Sequence, residues 1–318
     1  TSLVLWTAVT GADGAPVIVE VSTTPDFADL VFTDQLEPAG PQTAGATPYK
    51  GLATGLQPGR PVWYRFRFRE HLSPAGTGKP LPDGPVERFG ISAFACSNYP
   101  AGFFNAYAHA ARRGDVDLSV HLGDYLYEYG ADGYATEDAE RLSRTPDPGH
   151  ELLSYDDYAR RHAQYSGDPD LQALKAAAPL LMIWDDHETA NNAWENGAEN
   201  HQPGEGEWRA RRDAALAAWS AWTPSRDSDP MHERWGALRI GDLATLIFLE
   251  TRLTARSEEI LLDPFPVDVE TADPNDPQAR AEVAAWLERT AGAEDRTLLG
   301  ARQLADVSAS LAASVEAG

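Results

Sequence analysis

Three stretches of this sequence end in side chains that bind cations or move protons, and each closes an apolar run. Asp124 and Tyr127 stand just past an alternating segment, Val116, Leu118, Val120 and Leu122, that stops at Gly123. Cys96 closes RFGISAFAC at 88–96, and PLLMIWDD at 179–186 ends in Asp185 and Asp186, with His187 and Glu188 directly behind. Thiolate, carboxylate, phenolate and imidazole are the groups that hold a Lewis-acidic metal and work beside it. Singly, each signal is ordinary, since a buried cysteine is usually a small apolar filler and a Gly-Asp pair at a strand end is usually a turn. Three in succession argue for a metal site.

The frame that brings such residues together is an α/β sheet, where ligands collect at the carboxyl ends of the strands. From residue 87 onward strand and helix patterns alternate as that architecture requires. Strands are expected at 88–96, 115–122 and 179–185. Helices are expected at 101–113, at 154–166 with Ser154 as N-cap and Asp157 three residues on, and at 205–222, ended by Pro224. Residues 233–250 read as a strand pair turning at Gly241-Asp242, and QARAEVAAWLERT and ARQLADVSASLAASV as amphipathic helices. Ahead of this region, SLVLWTAV at 2–9, VIVEVS at 17–22 and the stretch 52–68, with its Pro58-Gly59 turn, carry strand patterns and no helix pattern. They predict a small β-sandwich over 1–69, and the Pro- and Gly-rich residues 70–86 predict a linker. Leu56, Pro58 and Tyr64 resemble the end of a fibronectin type III or immunoglobulin-like domain.

Composition bounds the function. The 318 residues suggest about two domains, and 42% apolar and aromatic residues suffice for sizeable cores. No apolar run approaches the roughly 18 residues that span a bilayer. Twenty-six basic against 49 acidic residues give a formal charge of −23, which disfavours nucleic acid and anionic membranes as partners. An acidic protein that handles an anionic substrate needs a local cation, and a bound metal supplies one. A single cysteine excludes an intrachain disulfide.

Read in order, FACSNYPAGFFNAY, HLGDYLYEYG and WDDHETANNAWENGAENHQP resemble the PhoD-like metallophosphatases, the alkaline phosphatase D family. The similarity continues through GDLATLIFLETRLTAR at 241–256 and RTLLGARQ at 296–303. It implies an N-terminal β-sandwich followed by a four-layer αββα metallophosphatase fold, whose first half would be 87–318, with Fe3+ and Ca2+ at the site. Carried over by motif, Cys96, Asp124 and Tyr127 match the iron ligands, with Asp124 bridging to a second metal that Asp186 also binds. His187 matches the histidine that follows. The chemistry agrees: a ferric ion favours phenolate, carboxylate and thiolate, and calcium takes oxygen ligands. The implied reaction is phosphoric ester hydrolysis by in-line attack of a metal-bound hydroxide, with His187 giving a proton or hydrogen bond toward the leaving group. A plain hydrogen bond in the DDHE turn is the alternative role for His187. Asn98, Asn191 and Asn192 are outer ligands or loop closers; Arg252 clamps phosphate or pairs with Glu250 or another carboxylate. His109, His121, His162 and His201 are explained by helix-surface or strand positions.

The resemblance also implies a departure. Family members continue into a GDxHxS-type segment that supplies the remaining ligands, and this sequence has none. The expectation is a two-piece enzyme whose complementary C-terminal segment packs against this chain, the alternative being a truncated fragment. Phosphomonoesterase and phosphodiesterase activity, a phospholipase D-like diesterase on the same scaffold, and a catalytically incomplete binding or assembly module are the functions that follow. A secreted or periplasmic location is implied by the resemblance alone.

Overall fold

The computed structural model describes residues 1–260, 265–268 and 270–317. Seven strands open the chain: β1 (Ser2–Thr10), β2 (Val17–Ser22), β3 (Leu30–Leu36), β4 (Ala46–Thr54), β5 (Val62–Phe68), β6 (His71–Leu72) and β7 (Gly76–Gly78). β1 pairs antiparallel with β4, and a second antiparallel sheet runs β3-β2-β5-β6 with β7 also on β5. Alternation delivers Leu3 and Leu5, Val17, Val19 and Val21, and Val62 and Phe66 into one shared core between the sheets. The two-sheet arrangement agrees with the expected sandwich. The linker expected at 70–86 does not hold for its first half, because β6 and β7 lie inside it and complete the sheet. Gly76 and Gly78 are required there: a Cβ on Gly76 would lie 2.3 Å from the Tyr64 ring. Composition registered the glycines and prolines as loop signals and missed the close packing they serve.

The second region runs β8 (Ile91–Phe94), a 3-10 turn at Tyr99–Ala101, α1 (Asn105–Ala111), β9 (Leu118–His121), α2 (Ala139–Leu142), α3 (Tyr155–Ser166), α4 (Pro169–Ala177), β10 (Leu180–Met182) and α5 (Trp208–Trp222). β11 (Gly236–Ile240) and β12 (Ala244–Phe248) form the expected hairpin, and α6 (Pro277–Thr290) and α7 (Gly300–Glu316) the expected helices. The three expected strands form one parallel sheet in the order β10-β9-β8. Ser154 caps α3 as read, with Asp157 closing a reciprocal capping box. Two helices are shorter than their patterns. Gly102, in an extended conformation, separates α1 from the 3-10 turn, and Gly204 and Gly206, both at positive φ, hold the chain out of the helix until Trp208.

Phe94, Leu180 and Met182 join the helical core with Tyr158 of α3, Leu171 of α4 and Trp219 of α5. The opposite face of the sheet is the apolar set Ile91, Leu118, Val120 and Leu181, of which Leu118 and Val120 are buried and Ile91 is 45% exposed. Of the four-layer sandwich that the resemblance implies, the described residues thus contain one helix-backed sheet and a separate hairpin. His162 and His121 are both fully buried, so the surface explanation fails for His162. His109 is exposed on α1. No described helix is long and apolar enough to cross a membrane.

The β-sandwich is fixed to the α/β region by polar contacts to helix ends. Trp6 donates to the Ala221 carbonyl at 2.8 Å, Thr77 to the Ala177 carbonyl at 2.7 Å, and Lys50 to the Ser220 carbonyl at 2.7 Å. These satisfy carbonyls that the C-termini of α4 and α5 would otherwise leave open.

Candidate metal centre

Parallel pairing sends β8, β9 and β10 in one direction, so the residues after Phe94, His121 and Met182 emerge at one edge of the sheet. The turns that follow are tight. Cys96 and Asp124 have φ of 57° and 53°, and Gly123 between the strand and Asp124 has φ 106°. A Cβ on Gly123 would stand 2.5 Å from the Asp185 nitrogen, so only glycine lets the loops after β9 and β10 approach this closely.

Asp124 is the hub. Its Oδ2 receives the Cys96 thiol at 3.3 Å and the Tyr127 hydroxyl at 3.4 Å. Ligand atoms of Asp124, Asp186 and His187 lie within 4.8 Å of one another. The sequence-predicted set Cys96, Asp124, Tyr127, Asp186 and His187 therefore converges. Burial raises the Asp124 carboxyl and the Tyr127 hydroxyl above their ordinary values, and so does partial burial of the Cys96 thiol, reinforced in the last two by the Asp124 charge. Acids packed together with their protons hard to remove form a site that a cation would relieve. One oxygen carries the fit: Asp124 Oδ1 is buried and has no hydrogen-bond partner, which in a site this polar is the position of a missing ligand. Carboxylate, phenol, thiol and imidazole are groups that can hold a Lewis-acidic cation.

His187 is held for a directed role. Its Nδ1 lies 2.8 Å from Glu128 Oε2, its ring stacks on Tyr127 at 4.2 Å, and Nε2 is left for a ligand. Burial alone would lower its pKa, but the Glu128 hydrogen bond and charge, with Asp186 and Asp124 near, raise it to about 9. Asp186 is buried and accepts the Asn192 N–H at 2.5 Å. Arg252 forks onto Asp185, Nε to Oδ1 at 2.5 Å and Nη2 to Oδ2 at 3.1 Å, and reaches Asp186 at 3.3 Å. The carboxylate it pairs with is therefore Asp185, while Glu250 takes its backbone N–H at 2.8 Å. Asn191 and Asn192 both donate to Glu199 Oε2, at 2.8 and 2.6 Å, and Asn98 donates to the Tyr134 carbonyl at 3.1 Å. All three amide side chains close loops here.

Three buried glutamates complete the scaffold; Glu188 stood out in the sequence only as the residue behind His187 and Glu250 only as a possible partner of Arg252, and Glu128 not at all. Glu188 accepts the N–H groups of Asp124, Tyr125 and Asp185. Glu128 accepts from Asn191 and Asn200 as well as His187. Glu250 accepts from Trp184, Arg252, Leu253 and Thr254, and its own backbone is gripped by Gln303 of α7. Glu188 had a signal, since it lies in the charged DDHE run behind a buried strand; Glu128 accepts from residues distant in sequence, and Glu250 from the loop that follows it as well as from distant Trp184. His121 serves the same frame, bonded to Tyr107 Oη at 2.9 Å and Ser97 Oγ at 3.1 Å, with burial lowering its pKa to about 3.

With this geometry stand the comparisons. The family model for PhoD-like phosphatase matches residues 89–317, and that for the PhoD-like phosphatase N-terminal domain matches residues 1–82. Alkaline phosphatase D of Bacillus subtilis is 32% identical over 301 residues, which is 90% of this chain and 50% of that protein. Among solved structures, one described as the structure of PhoD superposes with a TM-score of 0.72 at 32% identity, covering 81% of this chain and 50% of its own. The chain spans about half the length of both.

Proposed function

The chain belongs to the PhoD-like phosphatase family, and on that premise we propose that it hydrolyses phosphoric esters at a metal centre held by Cys96, Asp124, Tyr127 and Asp186. The observation that carries this reading is Asp124, with one oxygen gathering thiol and phenol and the other buried without a partner. Cys96, Asp124 and Tyr127 would hold Fe3+, and Asp124 and Asp186 would face Ca2+. Bound there, such ions supply Lewis acidity that neutralises phosphoryl oxygens and acidifies water. The rest falls to this chain's own groups. Glu128 fixes the His187 ring and keeps it protonated, so that Nε2–H can be offered to a leaving oxygen. Arg252 and Glu188 hold the loops that carry Asp185, Asp186 and Asp124, so that little reorganisation remains for the reaction. A complementary polypeptide segment completes the ligand set and covers the apolar sheet face at Ile91. The half-length match to the relatives supports that part.

The test is metal analysis of the purified protein, its visible spectrum, and turnover of p-nitrophenyl phosphate and bis-p-nitrophenyl phosphate, which separates monoester from diester preference. Bound ferric iron gives a charge-transfer colour that Tyr127→Phe weakens, and His187→Ala lowers turnover by about 10²–10⁴-fold with the colour retained. A colourless, metal-free protein, inactive on both esters even with the complementary segment supplied, refutes the reading and leaves a binding or assembly module.

A further inference from the structure

The β-sandwich and the α/β region meet along a cleft of about 640 Å³, within the range of small-molecule sites and at the kind of domain boundary where they recur. Trp6, Tyr64 and Phe66 line it from the sandwich, and Gln172, Lys175 and Trp222 from the helices. None of its lining residues belongs to the metal centre.

Lys175 is the unexplained group. Its Nζ lies 4.7 Å from the centre of the Trp6 ring and 5.5 Å from that of Tyr125. Its hydrogen-bond partners are hydroxyls, Tyr125 Oη at 3.2 Å and Ser166 Oγ at 3.5 Å. Among the described residues it makes no ion pair, in a chain with 49 acidic and 26 basic residues. Asp147, the carboxylate on the cleft wall, is taken by Arg160 at 2.6 Å. Burial pushes the ammonium down to about 7. A half-buried cation without a counter-ion is costly unless something pairs with it, and groups held at such cost concentrate at binding sites.

We propose that this interdomain cleft binds a small aromatic anion, its ring against Trp6 and Tyr64 and its charged group on Lys175. The aromatic walls select the body. Ring faces stack on flat ligands, and a bare inorganic anion would leave them wet. The lone ammonium selects the charge, because an arriving carboxylate gives Lys175 the partner that the fold withholds. The proposal is independent of the phosphatase reading.

The experiment is calorimetric titration of the whole protein with indole-3-acetate, its neutral isostere indole-3-acetamide, and inorganic phosphate. Indole-3-acetate is expected to bind saturably. The amide is expected to bind at least about tenfold more weakly, the lower limit for one charge-assisted hydrogen bond, and phosphate more weakly still. Lys175→Met removes the preference for acetate over amide, and Gln172→Trp, which fills the cleft mouth and leaves Lys175 alone, abolishes binding of both. No saturable binding of indole-3-acetate, equal affinity for the amide, phosphate binding as tightly, or an unchanged preference in Lys175→Met would each overturn the proposal.

Discussion

Glu188 ties the loop after β9 to the loop after β10, and removing it tests whether the metal centre depends on that tie. The buried carboxylate accepts the Tyr125 N–H at 2.5 Å, the Asp185 N–H at 2.8 Å and the Asp124 N–H at 3.2 Å. In Glu188→Ala all three donors lose their acceptor. A buried orphan N–H costs about 1–3 kcal/mol; the Tyr125 donor is buried, while those of Asp124 and Asp185 sit at the margin and recover water. The expected loss is therefore about 2–4 kcal/mol, a large share of a stability of about 5–15 kcal/mol. One effect works the other way, because burial and the Asp124 charge push the Glu188 carboxyl up to about 8, and its removal relieves that cost. Three hydrogen bonds to one carboxyl outweigh it. Glu188→Gln keeps one oxygen but sets an NH2 against a backbone N–H, so its loss is about half as large. Urea denaturation gives the stabilities, and metal content after equilibration gives the loading, which should fall in both variants as Asp124 loses its anchor. Glu188→Ala with parental stability and parental metal content would show that the charge term wins and that the loops hold without the clamp.

Two further outcomes follow from single positions. Gly123→Ala puts a Cβ 2.5 Å from the Asp185 nitrogen at φ 106°, so it should cost about 2–4 kcal/mol; thermal denaturation checks this, and an unchanged Tm would refute the close approach of the two loops. Lys175→Met should stabilise the protein at neutral pH. The lysine falls from 10.5 to about 7 on burial, so between those values the unfolded chain carries a proton that the folded chain lacks, and parental stability rises with pH across that window. At pH 7 the penalty is at most about 5 kcal/mol, roughly halved by the ring contact and hydroxyl bonds, which leaves a gain of about 2–3 kcal/mol that shrinks toward pH 10.5. A methionine variant less stable than the parent at pH 7 would show that the ammonium is not strained.

What the sequence disclosed about this site depends on how local each constraint is. Cys96, Asp124 and Tyr127 were legible as candidates because a strand is followed within a few residues by a side chain able to bind a metal, with Gly123 as a stop ahead of Asp124, and parallel pairing then places such strand ends at one edge. The capping box at Ser154 and the Gly241 turn are equally local, and both formed as read. The β3 strand and α4 were not anticipated. Leu30 and Val31 of β3 are exposed, so it lacks the buried alternation that marks a strand. The α4 start carries a usable signal, Asp168 as N-cap with Pro169 behind it, but Lys175, Ala176 and Ala177 in succession are half-buried at the domain boundary and blur its periodicity.

The glutamates were illegible for a different reason. Glu188, Glu128 and Glu250 each serve at least one donor that the tertiary fold brings near, Tyr125, Asn200 and Trp184 respectively, and nothing in a glutamate's neighbours says which distant donors will find it. Lys175 is the converse case, a cation that the fold brings near aromatic rings and hydroxyls and, among the described residues, into no ion pair. In the glutamates the tertiary structure meets a buried charge in full, and they stabilise the metal loops. In Lys175 it meets the charge in part, and the remainder is available to a ligand. The same accounting separates Asp124 from Asp185. Asp185 is saturated by the Arg252 fork and is structural, whereas Asp124 keeps one buried oxygen unanswered, and the proposed metal site rests on that unmet demand.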